Sequence, residues 1–184
     1  MEELRFITPD VSMSEEIAAY RREFLDSGSS MDGCGSLASM EDPKDWLSQV
    51  EALSDEKTVP ENWVRSTQFV LMRGQRILGT LQVRHCFNDF LRDYGGHIGY
   101  SVRPCERRKG YASRMLKEAL PFCRSIGLDK VLITCLRENE GSRRTILKNG
   151  GVYESTVIEP QSGKVLERYW ISLSKANDMS SQGL

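Results

Sequence analysis

At 184 residues, with 25 Lys and Arg against 26 Asp and Glu, the chain carries a formal charge of −1. That balance excludes a dedicated, strongly basic nucleic-acid binder, and no run of residues reaches the length of an apolar membrane span. Cys34, Cys86, Cys105, Cys123 and Cys135 are odd in number and share no C-x-x-C spacing, and there are only two histidines. Neither a disulfide framework nor a zinc site is expected. Residues 1–5 do not read as a secretory signal. The expectation is one cytoplasmic domain over 1–173, without metal, followed by a polar tail over 174–184.

Residues 4–7 form a short strand candidate, closed by Thr8 and Pro9. A helix follows from Ser12 or Ser14, with Ile17, Ala18, Tyr20, Phe24 and Leu25 near one face and Ser14 as a candidate cap. Residues 27–36 are a Gly- and Ser-rich loop, either a plain connection or one that shapes a binding site. Asp42 and Pro43 start a second helix. Residues 67–73 and 76–85 read as a hairpin around Gly74 and Gln75, and 88–96 as a polar link. A strand over 97–102, a helix to Ile126, a strand over 131–135, a helix opened by Asn139 and closed by Asn149-Gly150-Gly151, and strands over 152–158 and 165–173 complete the chain. Pro121 lies inside the long helix and removes its hydrogen bond to Lys117, so a kink is expected there.

Between the strand that ends at Val102 and the helix that follows lie Arg103, Arg107, Arg108, Lys109 and Gly110. The first N–H groups of a helix lack internal partners and sit at its positive end. A basic turn at that place is therefore an anion site in outline. It carries neither the three glycines of a dinucleotide fold nor a P-loop. It reads Arg107-x-x-Gly110-x-Ala112, and this resembles the acetyl-CoA signature of the GNAT superfamily of N-acetyltransferases. A strand upstream, the amphipathic helix downstream, a strand over 131–135 and the Asn139-Glu140-Gly141-Ser142 opening follow in the superfamily's order, from about residue 79 to 173.

The resemblance implies an α/β (α+β) fold, with a mixed, mostly antiparallel central sheet and helices on both faces. It implies acetyl-CoA as co-substrate, with the pyrophosphate on the backbone of Arg107, Arg108, Lys109, Gly110, Tyr111 and Ala112, and Ser113 in the same first turn. It places the pantetheine against Ser101, Val102, Asn139 and Ser142, although Asn139 is equally a plain helix cap. Arg103 is a candidate for further phosphates. Many relatives place a tyrosine acid seven residues after this asparagine, where the chain has Ile146; Tyr100, Tyr153 or water would then protonate the thiolate.

For the base, His97 on the central strand is the first candidate and His85 the second. The competing reading of His97 is a buried ring that donates to a neighbouring carbonyl. Asp89 and Asp93 are substrate carboxylates or solvated ones, and Cys135 is rejected as a nucleophile because nothing near it in sequence lowers its pKa. The expected function is acetyl transfer to a small-molecule or peptide amine by direct attack in a ternary complex, without nucleic acid or membrane, and with a homodimer allowed. A CoA-binding sensor without turnover is the alternative.

Overall fold

A computed structural model of the chain describes residues 3–173, so the polar tail over 174–184 lies outside the described residues. The elements are β1 (Leu4–Ile7), α1 (Ser14–Ser27), α2 (Pro43–Ser54), β2 (Ser66–Arg73), β3 (Arg76–Arg84), β4 (Ile98–Val102), α3 (Tyr111–Ser125), β5 (Lys130–Leu136), α4 (Glu140–Lys148), β6 (Val152–Ile158) and β7 (Val165–Ser172). Their order is the one the sequence patterns give. The π-type turn Leu91–Gly95 is an addition inside the link expected to be irregular.

Local chemistry sets most of the ends. Asp42 accepts from the Lys44 N–H with Pro43 in the first turn of α2, and Asn139 accepts from the Ser142 N–H to cap α4. Ser14 does not cap α1. Its hydroxyl donates to the Val11 carbonyl, while Asp10 takes the Ser12 N–H and starts a short 3-10 turn ahead of the helix. α3 continues through Pro121 to Ser125.

The strands form two antiparallel sheets, β1-β2-β3-β4 and β5-β7-β6. α3 packs on β3 and β4 and lies beside α4, while α1 and α2 pack against β3 and β2 respectively. Met115, Leu116, Ala119 and Cys123 make the buried stripe of α3, joined by Leu71, Leu81, Val83, Ile98, Val131 and Ile133. Burying each of the larger side chains stabilises the fold by about 1.5–3 kcal/mol. A second core of Ile17, Tyr20, Phe24, Leu37, Trp46, Val70, Met72 and Ile77 lies under α1 and α2.

The expected single central sheet is therefore divided, and the division runs between β4 and β5. At its closed end His97 donates its N–H to the Leu132 carbonyl at 2.8 Å, and Leu132 donates back to His97 Nδ1 at 2.9 Å. The β3–β4 ladder is bracketed by Arg84 N–H to His97 O and Arg103 N–H to Leu78 O, both 2.8 Å. Odd-numbered residues of β4 thus bond to β3. The main-chain groups of Tyr100 and Val102 point the other way, into the seam.

Candidate functional site

The turn between β4 and α3 is anchored by carboxylates rather than left open to anions. Arg103 is 3% exposed and forms ion pairs with Glu16 and, at 3.1 Å, with Glu23, while its Nε donates to the Ile77 carbonyl. It holds the turn to α1 and has no face for a phosphate, which corrects the expectation for that residue. Glu106, 7% exposed, binds Lys109 at 2.8 Å and Arg73 at 3.1 Å. These two neighbours and Arg76 hold the Glu106 carboxyl below its ordinary pKa, Lys109 most of all.

Arg107 also turns back. Its Nε donates to the Val102 carbonyl, its Nη1 to Ser29 Oγ, and the guanidinium lies 5.6 Å from the centre of the Phe24 ring. Of the four cations in this turn, Arg108 is the one whose side chain has no protein partner among the described residues, and its backbone is held in the left-handed region at φ 62°.

The backbone of the turn is left more open than its side chains. Among the described residues, the N–H groups of Arg108, Lys109, Gly110, Tyr111, Ala112 and Ser113 donate to no carbonyl or side chain. They lie at the N-terminal, positive end of α3. Gly110 caps the helix at φ 86°, a conformation that an L side chain resists, and a Cβ there would meet nothing within 4 Å. Tyr111 Oη accepts from Arg73, and Ser113 Oγ accepts from Asn149 Nδ2 at 3.0 Å, tying the first turn of α3 to the end of α4. An open groove of about 840 Å³ runs from Gly110 past Ser113 and Lys117 to Phe122, with Lys148 among its walls.

Across the seam, Tyr100 Oη lies 2.8 Å from Ser142 Oγ, bridging β4 to the first turn of α4. Burial pushes the Tyr100 phenol well above its ordinary pKa. Asn139 Oδ1 is used as the cap. Ser101 is drawn away from the seam: its main chain faces Thr80, and its hydroxyl and carbonyl are both bonded by Tyr20 Oη. The strand edge left for a ligand is Tyr100 and Val102, and the Val102 carbonyl is already taken by Arg107. Ile146 is fully buried and Tyr153 is an exposed residue bonded to Thr156. Of the two tyrosines named as substitutes, Tyr100 is the one at the seam.

Neither histidine is placed as a base. His97 Nδ1 accepts from Leu132, so the neutral ring carries its proton on Nε2 and offers no free lone pair. Burial first, and Arg84 second, pull its pKa down to about 4. Phe87 packs 3.9 Å from the ring centre. The ring is buried as the competing reading has it, but it accepts from a backbone N–H instead of donating to a carbonyl. His85 pairs with Thr67 and packs on Phe122. Phe122 is twelve residues along the chain from Gly110, roughly 18 Å at helical rise. Asp89 and Asp93 pair with Arg92 at the surface. Cys135 is 6% exposed, and burial with Glu167 pushes its thiol up to about 11.

The space above Gly99 is filled by the chain itself. Gly33, at φ 71°, lies so close that a Cβ on it would stand 2.2 Å from the Gly99 carbonyl oxygen. The 27–36 loop therefore seats on β4 and carries Asp32 to its rim. Beside it Arg84 lies on the same sheet face as His97 and Gly99. No local motif marks Arg84 or Asp32; the available signal is the alternation of Thr80, Gln82 and Arg84 with Leu81 and Val83.

Residues 14–152 match the family model described as an acetyltransferase (GNAT) domain. Among curated proteins none matches the chain. Several solved structures share the fold. The ribosomal-protein-S5-alanine acetyltransferase of Vibrio fischeri has a TM-score of 0.70 at 16% identity, covering 94% of each chain. RimJ of Mycobacterium smegmatis, solved with CoA-disulfide, has a TM-score of 0.66 at 18% identity, covering 92% of this chain and 81% of its own. The putative acetyltransferase yncA of Salmonella typhimurium, solved with acetyl-CoA, has a TM-score of 0.63 at 13% identity, covering 97% of this chain and 99% of its own. Among the described residues there is no cluster of three metal-binding side chains, and no helix is long and apolar enough to cross a membrane.

Proposed function

The chain belongs to the acetyltransferase (GNAT) domain family, and from that footing we propose that it transfers an acetyl group from acetyl-CoA to an amine by direct attack in a ternary complex. The observation that carries this reading is the row of six unpartnered N–H groups from Arg108 to Ser113 at the head of α3. Such a row suits a pyrophosphate. Arg108 adds a charge to it, and the Tyr100 edge of β4, with Asn139 and Ser142 opposite, suits an extended amide-bearing arm.

Acetyl-CoA supplies the activated acetyl group as a thioester. The protein's own share is to hold, orient and move protons. The unpaired main chain of Tyr100 offers a donor and an acceptor in the seam. The Tyr100 hydroxyl, kept protonated by burial, is the proton donor at the seam. Deprotonation of the amine passes to water, since both imidazoles are otherwise engaged. Cys135, a buried thiol with a raised pKa, takes no covalent part.

The test is thiol release from acetyl-CoA across amino acids, polyamines, aminoglycosides and peptide N-termini. Turnover on any class supports the reading. The second reading, a CoA-binding sensor, draws on the buried Ile146 at the position where many relatives carry the acid. It predicts acetyl-CoA binding with no turnover on the whole panel.

A further inference from the structure

On the face of the first sheet that looks toward α1 and α2, paired strands bring Ser66, Arg84 and His97 into one cross-strand row, and Gln68, Gln82 and Gly99 into the next. Such a face usually packs apolar side chains under a helix. Here Ser66, Gln68 and Gln82 are buried polar residues, and Gln68 Oε1 has no partner. The 27–36 loop roofs this patch: Gln68 Nε2 donates to the Gly33 carbonyl at 2.8 Å, and Gly33 presses on Gly99.

Arg84 is the unusual member. Its Nη1 donates to the Gly95 and Gly96 carbonyls at 3.2 and 3.3 Å. Among the described residues no carboxylate lies within ion-pair distance of the guanidinium, and Nε and Nη2 meet no acceptor. A Cβ on Gly99 would stand 3.3 Å from Nη2 and 3.1 Å from Gly33 Cα, so Nη2 lies beside β4 at the edge of the seated loop, one residue from the Tyr100 edge of the seam. Burial pulls the Arg84 pKa down to about 10, and Asp32 offsets this only in part. Asp32 is exposed at the loop rim, and its charge is felt by Arg84 and Tyr100 without being paired to either. A cation and an anion thus flank the same stretch of β4 and do not neutralise each other.

We infer that the acceptor amine is zwitterionic, an amino acid or an amine bearing a nearby carboxylate, with the carboxylate on Arg84 and the ammonium toward Asp32. The inference deepens the acetyltransferase reading and rests on it. A guanidinium with two free N–H groups suits the two oxygens of a carboxylate. The Asp32 side would keep the amine next to the seam, where an acetyl acceptor has to be. A polyamine brings a second cation toward Arg84, and an amide or a plain amine leaves the guanidinium unpaired.

The experiment is calorimetric titration of the CoA-saturated protein with matched trios of amino acid, amino-acid amide and decarboxylated amine. The trios are built on small, aliphatic, acidic and basic side chains, and acetyl transfer is measured on the same compounds. The expected result is one or more trios in which the free amino acid binds about 10- to 150-fold tighter, the effect of a hydrogen bond to a charged group. Arg84→Gln removes that preference, Arg84→Lys keeps part of it, and the exposed Asp32→Asn weakens all three members of a trio. A structural role limited to the Gly95–Gly96 turn would instead lower stability and leave the ranking within each trio unchanged.

Equal binding within every trio, a preference that survives Arg84→Gln, or turnover confined to polyamines or peptide N-termini overturns the inference while leaving the acetyltransferase reading standing. A protein that binds amino acids with this ranking yet transfers no acetyl group supports the Arg84 site and removes the catalytic reading beneath it.

Discussion

His97 and Leu132 exchange two hydrogen bonds, from His97 N–H to the Leu132 carbonyl and from Leu132 N–H to His97 Nδ1, and this pair is where the two sheets join. β4 and β5 separate beyond it, so one imidazole sets the position from which the seam opens. The ring is neutral because its Nδ1 lone pair is engaged and because burial and Arg84 pull its pKa down to about 4.

That depressed pKa has a defined consequence for stability. The folded state holds His97 neutral, so its contribution is fully present above the unfolded pKa near 6.5 and is lost as pH falls toward about 4. The wild-type protein should lose on the order of 3 kcal/mol from this group across that window, less whatever solvent relaxation recovers. In His97→Ala that part of the pH dependence disappears. Denaturant unfolding of both proteins between pH 4 and 7.5 measures it, and kcat/KM in the folded fraction should show no imidazole inflection between pH 5 and 8. An inflection that vanishes in the variant would restore His97 as the base.

Gly110 allows a second test. Its Cβ position is open, but its φ of 86° is one that only glycine adopts without strain. Gly110→Ala should cost about 1 kcal/mol of stability through backbone strain alone. Gly110→Glu adds a negative charge at the mouth of the cradle. Acetyl-CoA at a hundred times its Kd should stabilise the wild type by about 2.7 kcal/mol, read as a rise in Tm. The rise should shrink in the alanine variant and vanish in the glutamate variant. An undiminished rise in Gly110→Glu would place the cofactor elsewhere.

Arg103 separates fold from cofactor binding. Removing one partner of a buried charge cluster leaves the others uncompensated, which typically costs 3–5 kcal/mol. Glu16 and Glu23 keep some solvent contact, with side chains 24% and 28% exposed, so the lower end applies to Arg103→Met. Its acetyl-CoA Kd, measured below the lowered Tm, should stay within a few-fold of the wild type. Arg108→Ala should do the reverse, weakening acetyl-CoA with little change in Tm. A large loss of affinity in Arg103→Met and none in Arg108→Ala would reverse the assignment.

Features with local causes were legible in the sequence. Asp42 with Pro43, Asn139, the hairpin at Gly74 and Gln75, and the apolar stripe of α3 each act within a few residues, and each lies where its pattern puts it. The glycine turn ahead of α3 was legible for the same reason, since a glycine before an amphipathic helix is a local signal. What escaped depends on partners far along the chain. Arg103 meets carboxylates on α1 some eighty residues earlier, and His97 meets Leu132 thirty-five residues later. No spacing rule connects such pairs. The unpaired edge of Arg84 required the strand register, because the same residue beside a carboxylate would have been an ordinary ion pair.

Tyr100 is the sharpest test of the chemistry. Its hydroxyl crosses the seam to Ser142, and burial keeps it protonated well above neutral pH. It can therefore donate a proton where Ile146 cannot. A departing thiolate has a pKa near 8.5, below that of the phenol, so Tyr100 assists by donating a hydrogen bond to the developing thiolate rather than by a downhill proton transfer, and departure without it stays possible. Tyr100→Phe should then lower kcat by roughly a hundredfold, the lower end of the range for lost acid catalysis. Acetyl-CoA Kd should move less than threefold, because the tyrosine's main chain is unchanged. Loss of the Ser142 hydrogen bond should cost only about 1 kcal/mol of stability. Ser142→Ala separates donation from placement: the Tyr100 hydroxyl remains but keeps only its 3.4 Å contact to the residue 142 carbonyl, so kcat should fall by less than in Tyr100→Phe. Equal kcat in Tyr100→Phe and wild type would leave protonation to water. Equal losses in the two variants would make the Tyr100–Ser142 bond a strut across the seam and not a proton donor.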